Sequence, residues 1–124
     1  MSRKITKVEI ITRLAKLEDL KEGLNKIGVH GMTVSQVYGC GLQKGHKEVY
    51  RGRSYEVNLV PKIKLETVIC EVPVEQVLEV AQKILRTGEF GDGKIFVYEL
   101  SDAVRIRTGQ RGAEAIMDIP GEKP

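Results

Sequence analysis

The residues with the clearest chemical potential lie in the second half of the chain and are suited to binding an anion. The stretch TGEFGDGK at 87–94 contains three glycines, whose backbone N–H groups can turn toward a negative ligand, and Lys94 adds a positive charge. Gly88, Gly93 and Lys94 match half of a P-loop. That match is coincidental, because the stretch ends a predicted helix, opens a predicted strand and continues with Ile95 instead of Ser or Thr. The glycine N–H groups and Lys94 could still bind an anion. The alternative is that 87–94 is an ordinary glycine turn without a ligand.

A second basic segment, VRIRTG at 104–109, places Arg105 and Arg107 on one face if the chain is extended there. Alternate residues of an extended chain lie about 6.5–7 Å apart, which lets two guanidinium groups bind neighbouring phosphates. A solvated edge strand with surface arginines is the alternative. Together with the glycine-containing segment 39–45, these stretches predict a cradle for a triphosphate.

The sequence favours binding over catalysis. It shows no combination of Ser, His and Asp and no clustered carboxylate pair, and hydrolysis would therefore be incidental. His30 and His46, the two histidines, lack metal-ligand spacing to another His or Cys.

Composition limits the class of protein. The chain has 124 residues, of which 41% are hydrophobic, enough for one compact domain. Its net charge of +3 arises from 20 basic residues interleaved with 17 acidic ones, and this balance disfavours direct nucleic-acid binding. No window approaches 18 consecutive apolar residues and no signal peptide is apparent, so we expect a cytoplasmic protein.

Hydrophobic periodicity predicts four strands and two helices in the order βαββαβ. The predicted strands are 4–13, 32–38, 62–71 and 94–100, and the predicted helices are 16–27 and 74–85. This order predicts an α+β, ferredoxin-like fold, an antiparallel four-stranded sheet with both helices on one face. Because apolar residues occur on both sides of several strands, we expect the bare face to pack against another copy of the chain.

The connection between predicted strands two and three is unusually long for so small a domain. About twenty residues, with four glycines and a charged centre, separate the two strands. Such a connection is seldom a simple linker, so we expect an exposed, mobile arm with a function. A hairpin tip without a role is the alternative.

Three separated segments carry a family resemblance: QKGHKEVYRG (43–52), TGEFGDGKIFVY (87–98) and RIRTG (105–109). They closely resemble the PII nitrogen-regulatory signal-transduction proteins, and the similarity runs from about residue 4 to residue 116. The resemblance implies a homotrimer of single domains (1–116) with a C-terminal tail (117–124). It also implies an exposed regulatory T-loop at about 40–60.

The resemblance further implies a nucleotide site between subunits. Arg105 and Arg107 would reach the phosphates from the neighbouring subunit, opposite the turn at 91–94. Gln43 would help to coordinate Mg²⁺ when 2-oxoglutarate binds, and Lys62 would pair with a carboxylate of that acid. The residues implied to bind ATP, ADP or the effector are Ile11, Thr33, Gly41, Gln43, Lys44, Lys62, Val68, Thr87, Gly91, Asp92, Gly93, Lys94, Arg105 and Arg107.

The function implied by the resemblance is sensing without catalysis. Partners would be an ammonium transporter, a transcription regulator or a metabolic enzyme, contacted through the T-loop, with a membrane reached only through a channel partner. Tyr55 matches a tyrosine that is uridylylated in some members, whereas Leu42 replaces an arginine common near the phosphates. The alternatives are a related nucleotide sensor in carbon metabolism that does not sense 2-oxoglutarate, an ATPase, and an RNA-binding domain.

Overall fold

The computed structural model describes residues 4–40, 48–50, 53–55 and 59–117, with the backbone alone for 48–50 and 53–55. The elements in chain order are β1 (Ile5–Thr12), α1 (Leu17–Lys26), β2 (Thr33–Cys40), β3 (Glu48–Tyr50), β4 (Arg53–Tyr55), β5 (Leu59–Ile69), α2 (Val74–Leu85) and β6 (Lys94–Leu100). Short 3₁₀ turns at Leu14–Lys16 and Gly112–Ala115 complete the described secondary structure.

Four strands form one antiparallel sheet in the order β2-β5-β1-β6. This is the predicted ferredoxin-like arrangement, and both helices lie on the same face of the sheet. Alternation fixes which side chains face the helices. In β1, Val8 and Ile10 are fully buried, as are Ile63 at 2% exposure and Leu65 at 0% in β5. These residues form one core with Leu20, Leu24, Val77, Ala81 and Leu85 of the helices.

The sheet face without helices carries charges at its centre. Glu9 and Glu66 lie directly opposite each other in the β1–β5 register. Lys7 lies 3.9 Å from Glu9 and 3.7 Å from Glu66, and Lys64 lies 3.5 Å from Glu66. Tyr98 donates a hydrogen bond to Glu9 at 3.3 Å, and the Lys7 ammonium lies 4.9 Å from the Tyr98 ring centroid. The face is therefore more polar than the pattern of Ile, Leu and Val suggested.

Two boundaries differ from the sequence prediction around the long connection. β2 continues to Cys40 and β5 begins at Leu59, and these two residues are paired. Gly39 is part of this ladder opposite Val60, although its glycine character favoured a loop. The connection therefore spans 41–58 and contains the short antiparallel pair β3–β4. The predicted mobility of the arm falls on residues outside the described ones.

The extended conformation predicted for 104–109 is wrong. The N–H of Arg105 donates to the carbonyl of Gln110 at 2.9 Å, and the N–H of Gly109 donates to the carbonyl of Arg105 at 2.7 Å. These bonds close a tight turn that we call the arginine turn, residues 104–109. Gly109 has φ +76°, which a residue with a side chain adopts only with strain. The phosphate spacing argued from an extended chain therefore does not apply.

Candidate functional site

The first part of the candidate site is the glycine loop, residues 87–94, which joins α2 to β6. The Asp92 carboxylate accepts the N–H of Thr87 at 2.8 Å, the N–H of Gly88 at 2.9 Å and the Thr87 hydroxyl. The hydrogen bond from the Thr87 hydroxyl is the main reason that the pKa of Asp92 falls to about 2, with help from the two N–H groups and from Arg13. A carboxylate is thus the anion that these donors hold within the chain.

Glycine at position 93 is required by a close approach to β1. Gly93 has φ +100°, and a Cβ there would lie 1.8 Å from the carbonyl oxygen of Ile11. The neighbouring Asp92 carbonyl accepts a hydrogen bond from the buried Thr12 hydroxyl at 2.8 Å. Ile11 pairs with Lys94 across the β1–β6 ladder, so the loop is fixed to the end of β1.

Two cations converge on the carbonyl groups of the glycine loop. Lys62 Nζ donates to the Gly91 oxygen at 3.1 Å, and Arg13 Nε donates to the same oxygen at 3.3 Å. Arg13 also donates to the Phe90 oxygen at 3.1 Å and pairs with Asp92 at 3.2 Å. Asp92 balances one of these two positive charges, so the pair retains an excess of one positive charge, which suits an anionic ligand.

Arg13 was missed by the sequence reasoning. A usable signal was present, because Arg13 directly follows the strand that pairs with the start of β6 and is therefore carried to the glycine loop. Beside this loop lies an open cavity of about 380 Å³, lined among others by Ile11, Leu85, Gly93 and Lys94.

The second part of the candidate site lies around Arg105. Its guanidinium donates through Nε to the Ala115 carbonyl at 3.1 Å, through Nη2 to the Met117 carbonyl and through Nη1 to Gln110 Oε1 at 3.3 Å. Met117 and Val68 both line a smaller cavity of about 120 Å³. Val68 and Thr33 lie near the same end of the sheet, because Thr33 is paired with Glu66, two residues from Val68.

One chain does not bring the two parts together. Lys62 and Val68 are six residues apart on β5, which corresponds to about 20 Å along a strand. Ile11 lies at the end with the glycine loop, whereas Thr33 and Val68 lie toward the other end. Three predicted residues, Gly41, Gln43 and Lys44, lie outside the described residues, as does the side chain of Tyr55.

Sequence comparison gives the family. The model of the family described as "Nitrogen regulatory protein P-II" matches residues 5–110. The chain is 54% identical over 116 residues to the nitrogen regulatory PII-like protein of Bacillus subtilis, covering 94% of this chain and 100% of that protein. It is 50% identical over 110 residues to the nitrogen regulatory protein P-II of Rhodospirillum rubrum, with coverage of 89% and 98%. The chain belongs to the P-II family.

Solved structures agree with the P-II assignment. The fold is similar to that of B. subtilis GlnK in complex with ATP, with a TM-score of 0.78, 54% identity and coverage of 90% of this chain and 97% of that one. It is also similar to Arabidopsis thaliana PII bound to citrate, with a TM-score of 0.72, 40% identity and coverage of 91% and 92%. The family is one of nitrogen regulation. Among the residues that the structure describes, no helix is long and apolar enough to cross a membrane.

Proposed function

We propose that this P-II protein senses ATP, ADP and 2-oxoglutarate at sites between the subunits of a homotrimer, and controls partner proteins through the connection at 41–58. The observation that carries the proposal is the division of the candidate residues between two ends of the sheet. A neighbouring copy of the chain would bring the Arg105 end of one sheet to the glycine loop of another.

The glycine loop has the features expected of one wall of a phosphate site. Its donors already hold a carboxylate, its carbonyls attract two cations, and at Gly93 the loop lies too close to β1 for any side chain. Lys94, the last residue of the loop, is exposed and would add a further positive charge. Arg105 and Arg107 of the neighbouring copy would supply the opposite wall.

The cation pair suits the second ligand. Lys62 and Arg13 share the Gly91 carbonyl, and a carboxylate of 2-oxoglutarate would be a stronger acceptor for both than a neutral oxygen. Bound Mg²⁺ would neutralise charge between the acid and the triphosphate. No cluster of three His, Cys, Asp or Glu side chains suited to a metal lies within the described residues. Ligand oxygens together with Gln43 would therefore have to hold the ion.

The route from ligand to partner follows from the position of Lys62. Lys62 lies three residues after the start of β5, where the chain returns from 41–58. Moving its ammonium from the Gly91 carbonyl to a ligand would change the contacts at the base of that connection, which biases its conformation. The partners would be an ammonium transporter, a transcription regulator or a metabolic enzyme. The proposal includes a cytoplasmic location. It does not include catalysis, direct nucleic-acid binding or membrane contact other than through a channel partner.

Calorimetric titration tests the ligands. We expect Mg-ATP and ADP to bind the wild-type protein, 2-oxoglutarate to bind only with Mg-ATP, and each of these two ligands to tighten the other by the same factor. Lys62→Ala should abolish binding of the acid and partly retain that of ATP. ATP binding with no response to the acid would instead favour the nucleotide sensor without 2-oxoglutarate sensing.

Mixed oligomers test the site between chains. Lys94→Ala and Arg105→Ala damage opposite walls, so neither variant alone should bind ATP at wild-type affinity. Random co-assembly of the two would restore both walls in about one quarter of intersubunit sites. If no site in the co-expressed oligomers binds ATP with wild-type affinity, both walls of a site belong to the same chain and the proposal is wrong.

A further inference from the structure

The C-terminal segment, residues 112–117, lies across Arg105 of the same chain. Two of its backbone carbonyls, at Ala115 and Met117, accept hydrogen bonds from Nε and Nη2 of Arg105. The segment is folded locally, because the N–H groups of Ile116 and Met117 both donate to the Ala113 carbonyl at 3.1 Å. Arg105 is therefore half-buried by its own chain.

The two carbonyls bind the edge of the guanidinium formed by Nε and Nη2. Nε and Nη2 form one of the planar forks with which arginine binds two oxygens of a phosphate or carboxylate. Here the two oxygens come from the polypeptide backbone, and Gln110 Oε1 accepts a bond from Nη1 at 3.3 Å. The backbone carbonyls thus stand where phosphate oxygens would bind this fork.

The same segment reaches a second candidate contact of the nucleotide. Ile116 and Met117 line the cavity of about 120 Å³ together with Gly31, Thr67 and Val68. Val68 is one of the residues that the family resemblance implies to bind the nucleotide or the effector. One short segment therefore bonds to the arginine fork and borders the adjacent cavity.

We propose that residues 112–117 form an autoinhibitory latch that competes with nucleotide for Arg105 and is released when a nucleoside triphosphate binds. This inference rests on the proposed role of Arg105 in phosphate binding. Release of the segment makes the C-terminal end of the chain a second reporter of nucleotide occupancy, separate from the connection at 41–58. A latch closed in about nine of ten molecules weakens nucleotide binding about tenfold.

The start of the latch is anchored by an ion pair that does not touch Arg105. Arg111 donates to the Asp102 carboxylate through Nε at 2.8 Å and through Nη2, and the N–H of Gly112 donates to the same carboxylate at 3.1 Å. The Arg111 pair lowers the pKa of Asp102, so the carboxylate is charged at neutral pH. Breaking this pair should loosen the latch while leaving Arg105 intact.

The test compares Mg-ATP affinity in Asp102→Ala, Arg111→Ala and the wild-type protein by calorimetry. The two substitutions change the net charge in opposite directions, so a general electrostatic effect would move the two affinities apart. Release of the latch predicts tighter binding in both, by about three- to tenfold. Glu114→Gln is the charge control, since it removes one carboxylate from the same segment and should leave the affinity unchanged.

A second measurement follows the latch directly in the unmodified protein. Saturating Mg-ATP should accelerate amide hydrogen exchange of Ile116 and Met117 about tenfold. Unchanged affinities in both variants, together with slower or equal exchange at saturating Mg-ATP, would overturn the latch and leave the proposed function standing. Absence of Mg-ATP binding in the wild-type protein and in both variants would overturn the proposed function and the latch with it.

Discussion

Gly93 offers the sharpest test of the glycine loop, because the chain supplies a matched control at Gly88. Both residues have positive φ, +100° at Gly93 and +86° at Gly88. Alanine at either position therefore experiences a similar backbone penalty. The surroundings differ, since a Cβ at Gly93 would lie 1.8 Å from the Ile11 oxygen, whereas a Cβ at Gly88 would meet no described atom within 4 Å.

The expected magnitudes follow from this difference. The left-handed conformation costs a residue with a side chain about 1–2 kcal/mol, so Gly88→Ala should lower the free energy of unfolding by about that amount. Gly93→Ala adds an overlap with backbone atoms that take part in the β1–β6 ladder and cannot rotate away. Overpacking of this kind costs a further 1–3 kcal/mol or so, which gives about 2–5 kcal/mol in total.

Urea denaturation at one fixed protein concentration measures the two free energies, because the stability of an oligomer depends on protomer concentration. Calorimetry then measures Mg-ATP affinity in the same variants. We expect Gly93→Ala to weaken binding much more than Gly88→Ala, since displacement of residue 93 also moves Lys94. Equal losses of stability in the two variants would refute the argument from close approach.

Three further predictions concern single contacts. The pKa of Asp92 is lowered from 3.8 to about 2, so the stabilisation due to its charged form should be complete above pH 4 or so and lost as the pH falls through 2. An NMR titration of the Asp92 carboxyl group should give a midpoint near 2. A midpoint near 4 would contradict the hydrogen bonds to Thr87. Thr12→Val removes the donor to the Asp92 carbonyl and should cost about 1 kcal/mol in urea denaturation, whereas Thr12→Ser should retain the bond. Leu20→Ala empties a fully buried position and should cost about 2–5 kcal/mol, with a loss below 1 kcal/mol or so showing that the core is misplaced.

The fold was predictable where a regular pattern coincides with burial. β6 occupies 94–100 and α2 occupies 74–85, as predicted, because apolar residues recur there with the period of each element and glycine or proline marks the boundaries. α1 begins one residue later than predicted, at Leu17, since the preceding residues form a 3₁₀ turn. Fold class follows from the element order, and the family comparison confirms it.

The candidate site was less predictable, because its geometry depends on contacts between distant segments. No local pattern places Arg13 on the glycine loop; the β1–β6 pairing does so across 77 or more positions. The prediction of an extended conformation for residues 104–109 failed for a local reason. Alternating polar and apolar residues at 104–107 suggest a strand, yet Gly109 and the bonds from Arg105 close a turn that periodicity does not reveal.

The distribution of charge separates the surface suited to another copy of the chain from the surface suited to a ligand. On the bare sheet face, Lys7 and Lys64 are matched by Glu9 and Glu66, so this cluster has no net charge and can be covered without leaving an unpaired ion. At the glycine loop, the three cations Arg13, Lys62 and Lys94 outnumber the two carboxylates of the loop, Glu89 and Asp92. Assembly through the first surface would leave the second one cationic. An anion is therefore the ligand that the loop can accept with the smallest electrostatic cost, and the proposed nucleotide is such an anion.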